Sequence, residues 1–79
     1  MSDVVKLNED AVHARLGARV RELREERQLS QAELAYRADI NRVTLARIET
    51  GRTGVSVAVL ARLALAMGVN PAVLIEDIL

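Results

Sequence analysis

The sequence SQAELAYRADINRVTLARIETGR, residues 30–52, decides the fold because it carries the signals for two short helices joined by a tight turn. Ser30 followed three residues later by Glu33 forms a capping box, which predicts that a helix begins there. Asn41 is a preferred N-cap for a second helix, and Gly51 is the residue type that most often ends one. We therefore predict a helical hairpin.

The turn of this hairpin is expected over residues 38–40. Asp39 lies where the backbone should be left-handed, a conformation that aspartate tolerates at some cost and glycine adopts more easily. The residues predicted to face inward from the two helices are Leu34, Ala35, Ala38, Leu45 and Ile48. The turn and these two apolar faces together predict that the helices pack against a common core.

Three further helices are predicted around the hairpin. Apolar residues at helical spacing, Val12, Leu16, Val20 and Leu23, predict a first helix from about Ala11 to Arg27. Ser56 should cap a fourth helix that ends near Met67, and Asn70 with Pro71 should open a fifth that continues to the C-terminus. The residues expected to face inward in the fourth helix are Val57, Leu60, Leu63, Ala64 and Met67. We therefore predict an all-α, compact five-helix domain over residues 11–79, after a flexible arm over residues 1–10.

The composition favours one small domain with an aliphatic core. Of 79 residues 51% are hydrophobic but only 1% are aromatic, so leucine, valine, isoleucine and alanine must fill the interior. The absence of cysteine excludes disulfides and thiolate metal sites. Because no segment matches a signal peptide or a membrane span, we expect a soluble, cytoplasmic protein with no membrane partner.

The charged residues are distributed unevenly although the formal net charge is zero. Residues 1–10 and the last helix each carry a net charge of −2, whereas the segment between them has ten arginines and six acidic residues, a net charge of +4. A basic middle with acidic ends is compatible with a polyanionic partner, which the net charge alone would argue against.

The sequence offers no set of residues typical of an enzyme or a metal site. His13 is the only histidine, there is no cysteine, and the acidic residues do not recur at spacings that would bring them together. The GRTG segment at residue 51 lacks the lysine and hydroxyl residue of a phosphate-binding loop. We therefore expect no catalytic residue, metal, cofactor or small-molecule ligand.

The outward residues of the third helix are of types that read bases in DNA. Arg42, Val43, Thr44 and Arg47 occupy its N-terminal half and its outer side. Arginine can bind guanine through two hydrogen bonds, and valine or the threonine methyl group can contact thymine. A solvent-exposed charged face with no partner is the competing interpretation, and from these residues alone it is the more common outcome.

The segment LGARVRELREERQLSQAELAYRADINRVTLARIETGR resembles the phage repressor and Cro type of helix-turn-helix domain, often called the xenobiotic-response-element family. The resemblance covers about Leu16 to Ile75 and is strongest in QAELA and LARIETGR. It implies a lambda-repressor-like DNA-binding domain in which helices 2 and 3 form the helix-turn-helix. Gln28 and Asp39 depart from it, because both stand where glycine is common in that family.

The resemblance also implies roles for particular residues. The base-reading positions would be Arg42, Val43, Thr44 and Arg47; the phosphate-binding positions would be Gln31, Asn41 and Arg52; and Arg24 with Glu49 would form a buried salt bridge between helices 1 and 3. The implied function is a sequence-specific transcriptional regulator that binds double-stranded DNA as a homodimer, with the helix over residues 41–50 in the major groove of a pseudo-palindromic operator. The small size is similar to that of restriction–modification controller proteins, stand-alone repressors and some antitoxins.

The last helix has more apolar residues than one buried stripe requires. Leu74 and Ile78 can face the core, which leaves Val73, Ile75 and Leu79 for another surface. We predict that these three residues form a dimer interface. The alternative is an antitoxin or protein-interaction module in which the same patch binds a different protein.

Overall fold

The computed structural model describes residues 3–79 and contains five helices in that range. They are α1 (Glu9–Glu26), α2 (Gln31–Arg37), α3 (Arg42–Glu49), α4 (Val57–Ala66) and α5 (Pro71–Ile78). The predicted all-α, five-helix fold is confirmed. α1 packs against α3 and α5, α2 packs against α3 and α4, and α4 packs against α5. No single helix in residues 3–79 is long and apolar enough to cross a membrane. α4 and α5 together have the length and apolar composition of a membrane span, but they are bent by 115° relative to each other.

Each helix begins at a side chain that accepts a hydrogen bond from the first turn. Ser30 accepts from the Glu33 N–H while the Glu33 carboxylate accepts from the Ser30 N–H, which is the predicted capping box. Asn41, Ser56 and Asn70 cap α3, α4 and α5 as expected. α1 begins at Glu9 rather than near Ala11, because the Asn8 side chain accepts from the Ala11 N–H.

The first four helices end in the same way, with a left-handed residue just beyond the helix. Gly51 and Gly68 fill this position after α3 and α4, both with φ of 72°. Gln28 and Asp39 fill it after α1 and α2 with φ of 56° and 55°, so both non-glycine residues adopt the strained conformation. In all four turns the backbone forms the paired hydrogen bonds of a Schellman motif.

The core consists of aliphatic side chains from all five helices. Its largest fully buried members are Val20, Leu34, Leu45, Ile48, Leu63 and Leu74. The predicted inward residues of α2 and α3 are buried, and so are those of α4 except Val57, for which the prediction is wrong. Val57 shares the helical stripe of Leu60 and Ala64, but it is the first residue of α4 and lies at the edge of the core, where its side chain is 80% exposed.

Two arginines hold helix ends in place from distant parts of the chain. The Arg62 Nε on α4 donates to the carbonyl of Ala38 at the end of α2, at 2.9 Å. The Arg27 Nε donates to the carbonyl of Met67 at the end of α4, at 2.5 Å. Cations beside the carbonyl end of a helix also complement its dipole. These contacts therefore help to fix α2 and α4, and with them the hairpin.

Candidate nucleic-acid interface

α3 presents one side to the core and the other to solvent. Leu45 and Ile48 have 0% and 1% exposure, whereas Val43 and Arg47 are exposed on the opposite side of the helix. Arg42 and Thr44 are also exposed, in the first turn and on the two flanks of that outer side. The structure therefore brings the four predicted base-reading positions into one accessible half of a short helix.

The predicted phosphate-binding residues lie around this helix, and each already makes a contact within the protein. The Asn41 side-chain oxygen accepts from the Val43 N–H at 2.7 Å, so a phosphate contact would come from its amide nitrogen. The backbone N–H of Arg52 donates to the carbonyl of Arg47 at 2.9 Å, which leaves the exposed guanidinium for a phosphate.

Gln31, at the first position of α2, connects this surface to the protein interior. Its Nε2 donates to the Glu49 Oε1 at 3.1 Å, and its side chain is half-buried. One N–H of the amide group is used in this bond, so the other N–H and the oxygen remain as polar groups at the helix N-terminus. Gln31 was predicted to contact a phosphate, and its bond to Glu49 was not predicted, since nothing local in the sequence indicates an interaction across 18 residues.

Arg24 and Glu49 form a bidentate ion pair between α1 and α3. The Arg24 Nε lies 2.7 Å from one carboxylate oxygen and an Nη lies 3.0 Å from the other. The side chains are only 11% and 2% exposed. A second Nη donates to the carbonyl of Leu29 at 2.8 Å, and the hydrogen bond to Glu49 raises the pKa of Arg24. The Glu49 carboxylate thus joins α1, α2 and α3 at one point.

Gly17 permits the close approach of α1 and α3 beside this pair. A Cβ atom at Gly17 would lie 2.1 Å from the Ile48 carbonyl oxygen and 2.8 Å from that of Glu49. No other residue type fits here without displacing backbone. The role of Gly17 was not predicted, although a lone glycine inside an otherwise helical pattern is a signal for such a contact.

The predicted dimer residues lie on α5 and at the C-terminus. Leu74 is fully buried, Val73 is half-buried, and Ile75 and Leu79 are 43% and 79% exposed. α5 is joined to α1 by an ion pair between the Arg19 Nε and Asp77 at 2.6 Å, and this contact raises the pKa of Arg19. The apolar surface of α5 is therefore held in a fixed position beside α1.

The residues described by the structure contain no group of three or more His, Cys, Asp and Glu side chains placed to hold a metal ion. His13 is half-buried, with its ring next to Gly54 in the loop before α4. The His13 side chain therefore packs against the loop between α3 and α4.

Comparison with known proteins agrees with this geometry. A family model described as a helix-turn-helix domain matches residues 15–77. No curated protein matches the sequence. The crystal structure of the restriction-modification controller protein C.AhdI from Aeromonas hydrophila is 34% identical, with a TM-score of 0.79 over 81% of this chain and 97% of that one.

Two further crystal structures are similar. The clp gene regulator ClgR from Corynebacterium glutamicum is 28% identical, with a TM-score of 0.80 over 85% of this chain and 71% of that one. The hypothetical transcription factor NHTF from Neisseria is 24% identical, with a TM-score of 0.77 over 94% of this chain and 85% of that one, and shows the same fold.

Proposed function

The chain belongs to the helix-turn-helix domain family, and on that premise we propose that it is a transcriptional regulator that binds double-stranded DNA as a homodimer on a pseudo-palindromic operator. The observation that carries this proposal is the division of α3 into a fully buried side, with Leu45 and Ile48, and an exposed side with two arginines. The similarity of the chain to a restriction-modification controller protein and to a clp gene regulator supports a role in gene regulation.

In the proposed complex α3 lies in the major groove and reads bases. Arg47 and Arg42 have the donor geometry to bind guanine O6 and N7, while Val43 and the Thr44 methyl group suit contact with thymine methyl groups. Both arginines are on a helix whose core side is fully packed, so their backbone positions are fixed before DNA binds. Specificity therefore resides in these four side chains.

The phosphate contacts come from residues at the ends of the two helices. Gln31 and Asn41 lie at the N-termini of α2 and α3, where backbone N–H groups and the helix dipole favour anions. Arg52 follows α3 and adds a cation. These contacts orient the protein on DNA without reading its sequence.

A homodimer is proposed because one α3 reads only a short half-site. The exposed apolar residues Ile75 and Leu79, together with Val73, supply the interface on α5. A twofold dimer places the two reading helices about one turn of DNA apart, roughly 34 Å. Sedimentation at micromolar concentration should give a dimer that Ile75→Asp dissociates. Leu65→Asp on α4, at a residue 67% exposed on a different surface, should leave the dimer intact.

The test of DNA recognition is selection of bound sequences from random duplexes, followed by titration of variants on the selected site. Arg47→Ala should lose discrimination at particular base pairs by about 1–3 kcal/mol. Arg52→Ala should weaken binding to all duplexes alike and lower the salt dependence by about one released counterion. Arg37→Ala removes an exposed charge from the last turn of α2 and should change neither property. Uniform losses from both Arg47→Ala and Arg52→Ala would refute the assigned roles, and affinity independent of salt would favour a protein partner.

A further inference from the structure

An open apolar groove of about 230 Å³ lies between α1, the start of α4 and α5. Its aliphatic lining consists mainly of Val12, Leu16, Val57, Leu60, Ile75 and Ile78. Pockets for small organic ligands usually have volumes of roughly 300–1,000 Å³ and enclose most of the ligand. This groove is smaller and open at one side, so its dimensions suit one or two aliphatic side chains.

The exposed large hydrophobic residues are concentrated at this groove and on the N-terminal arm. Within residues 3–79 nine such side chains are exposed; two of them, Val57 and Ile75, line the groove, and a third, Leu79, directly follows Ile78 of the groove lining. Three more, Val4, Val5 and Leu7, lie on the arm before α1, with exposures of 73%, 84% and 60%. A small protein seldom leaves two such apolar clusters exposed to water. Contact between the two clusters would remove both from water at once.

The arm is exposed to solvent along its whole described length. Residues 3–8 form no helix and are all exposed, and the molecule measures 48 × 23 × 20 Å, twice as long as it is wide. Six extended residues reach about 20 Å, enough to lie across a neighbouring copy.

We propose that residues 4–7 of one copy dock in the apolar groove of a second copy, a pairing that rests on the homodimer of the proposed function. In an extended arm Val5 and Leu7 share a face and enter the groove, whereas Val4 and Lys6 face away. A twofold axis makes the exchange reciprocal, so that each copy gives an arm and receives one. The groove contains Ile75 of the proposed dimer surface, so arm and α5 contribute to one continuous interface.

Site-directed disulfide formation tests this pairing cleanly because the chain has no cysteine of its own. One chain carries Leu7→Cys, a second chain of different mass carries Val57→Cys, and the two are mixed under mild oxidation. The expected product is a covalent heterodimer that forms faster than the one from Leu7→Cys mixed with Leu65→Cys. Leu65 is a matched exposed residue of α4 outside the groove.

A pair of single substitutions gives the energetic test by sedimentation. Leu7→Asp should weaken dimerisation about tenfold or more, because one buried leucine side chain has at least that effect on an equilibrium constant. Val4→Asp, on the opposite face of the arm, should have little effect.

The possible results separate arm docking from dimerisation itself. A stable dimer with equal cross-linking to Val57→Cys and Leu65→Cys would overturn the docking and leave the homodimer in place. A third variant carries both Leu7→Cys and Val57→Cys in one chain. If a disulfide forms only within that chain, the arm folds onto its own groove, and docking on a second copy is overturned. A monomer at every concentration would refute both.

Discussion

Replacing Gly17 by alanine should destabilise the protein although alanine is the better helix former. Helix propensity alone favours the substitution by about 1 kcal/mol in a helix interior such as that of α1. The new Cβ would lie 2.1 Å from the Ile48 carbonyl oxygen, so α1 and α3 must separate by about 0.9 Å to reach even the 3.0 Å limit for such contacts. A carbonyl of the backbone cannot rotate away as a side chain can.

The expected cost combines this overlap with damage to the adjacent ion pair. Overpacking a core costs about 1–3 kcal/mol, and a rigid backbone neighbour places Gly17→Ala at the upper end. The same separation stretches the Arg24–Glu49 pair, whose shorter bond is 2.7 Å, and loses roughly another 1 kcal/mol. After subtraction of the propensity gain, the net loss is about 3 kcal/mol. For a domain of this size that lowers the Tm by roughly 12–24 °C.

Thermal and urea unfolding monitored by circular dichroism would measure this loss. Gly68→Ala is the matched control, because a Cβ there meets no atom within 4 Å and the only cost is a φ of 72°, about 1–2 kcal/mol. If Gly17→Ala were as stable as the wild type or more stable, helix propensity would outweigh the overlap with the Ile48 carbonyl. The close approach of α1 and α3 would then not require glycine at position 17.

Three further substitutions test the hairpin and its supports. Arg24→Met should cost about 3–5 kcal/mol in urea unfolding because it leaves the Glu49 carboxylate buried without its partner, whereas Arg24→Met with Glu49→Leu should recover most of that stability yet bind operator DNA more weakly. Asp39→Gly should raise the free energy of unfolding by roughly 0.5–1 kcal/mol, since relief of the left-handed strain exceeds the entropy that glycine adds to the unfolded chain; an unchanged or lower value would contradict this. The N–H of Ser30 lowers the pKa of Glu33 from its ordinary 4.5, so this bond stabilises the fold above that pH and is lost as the pH falls through the lowered pKa. Stability measured from about pH 5 to pH 3 should therefore fall less in Glu33→Gln than in the wild type, and parallel curves would exclude a role for the bond.

The sequence predicted the features of the fold that depend on neighbouring residues. Ser30 with Glu33, Asn41 and Gly51 are local signals, since a cap and a left-handed turn involve atoms three or four residues apart. Asn8 carries the same signal, but the first apolar residue of the helical stripe is Val12, so the start of α1 was placed too late.

Contacts between distant segments could not be predicted from the sequence. Arg62 and Arg27 bind carbonyl groups 24 and 40 residues away, and an arginine that binds a helix end has the same local sequence as one on a solvated surface. The outward positions of α3 were predictable because its buried stripe determines its exposed side. What those four side chains bind was suggested by family resemblance, since arginine on an exposed helix face is common in proteins with no DNA partner.

Glu49 contributes more to the relative orientation of the helices than to the free energy of folding. An acidic residue in the last turn of α3 opposes the helix dipole, and burying an ion pair costs about as much as the attraction returns. A methionine and a leucine would fill the same space with less desolvation. However, the planar guanidinium of Arg24 donates two parallel hydrogen bonds, which fix the orientation of the Glu49 carboxylate. The same carboxylate also accepts a hydrogen bond from Gln31 at the start of α2. The angle between α2 and α3 is therefore fixed through a side chain that is 2% exposed. In the proposed complex this angle sets whether Gln31 and Arg47 can contact one DNA site together.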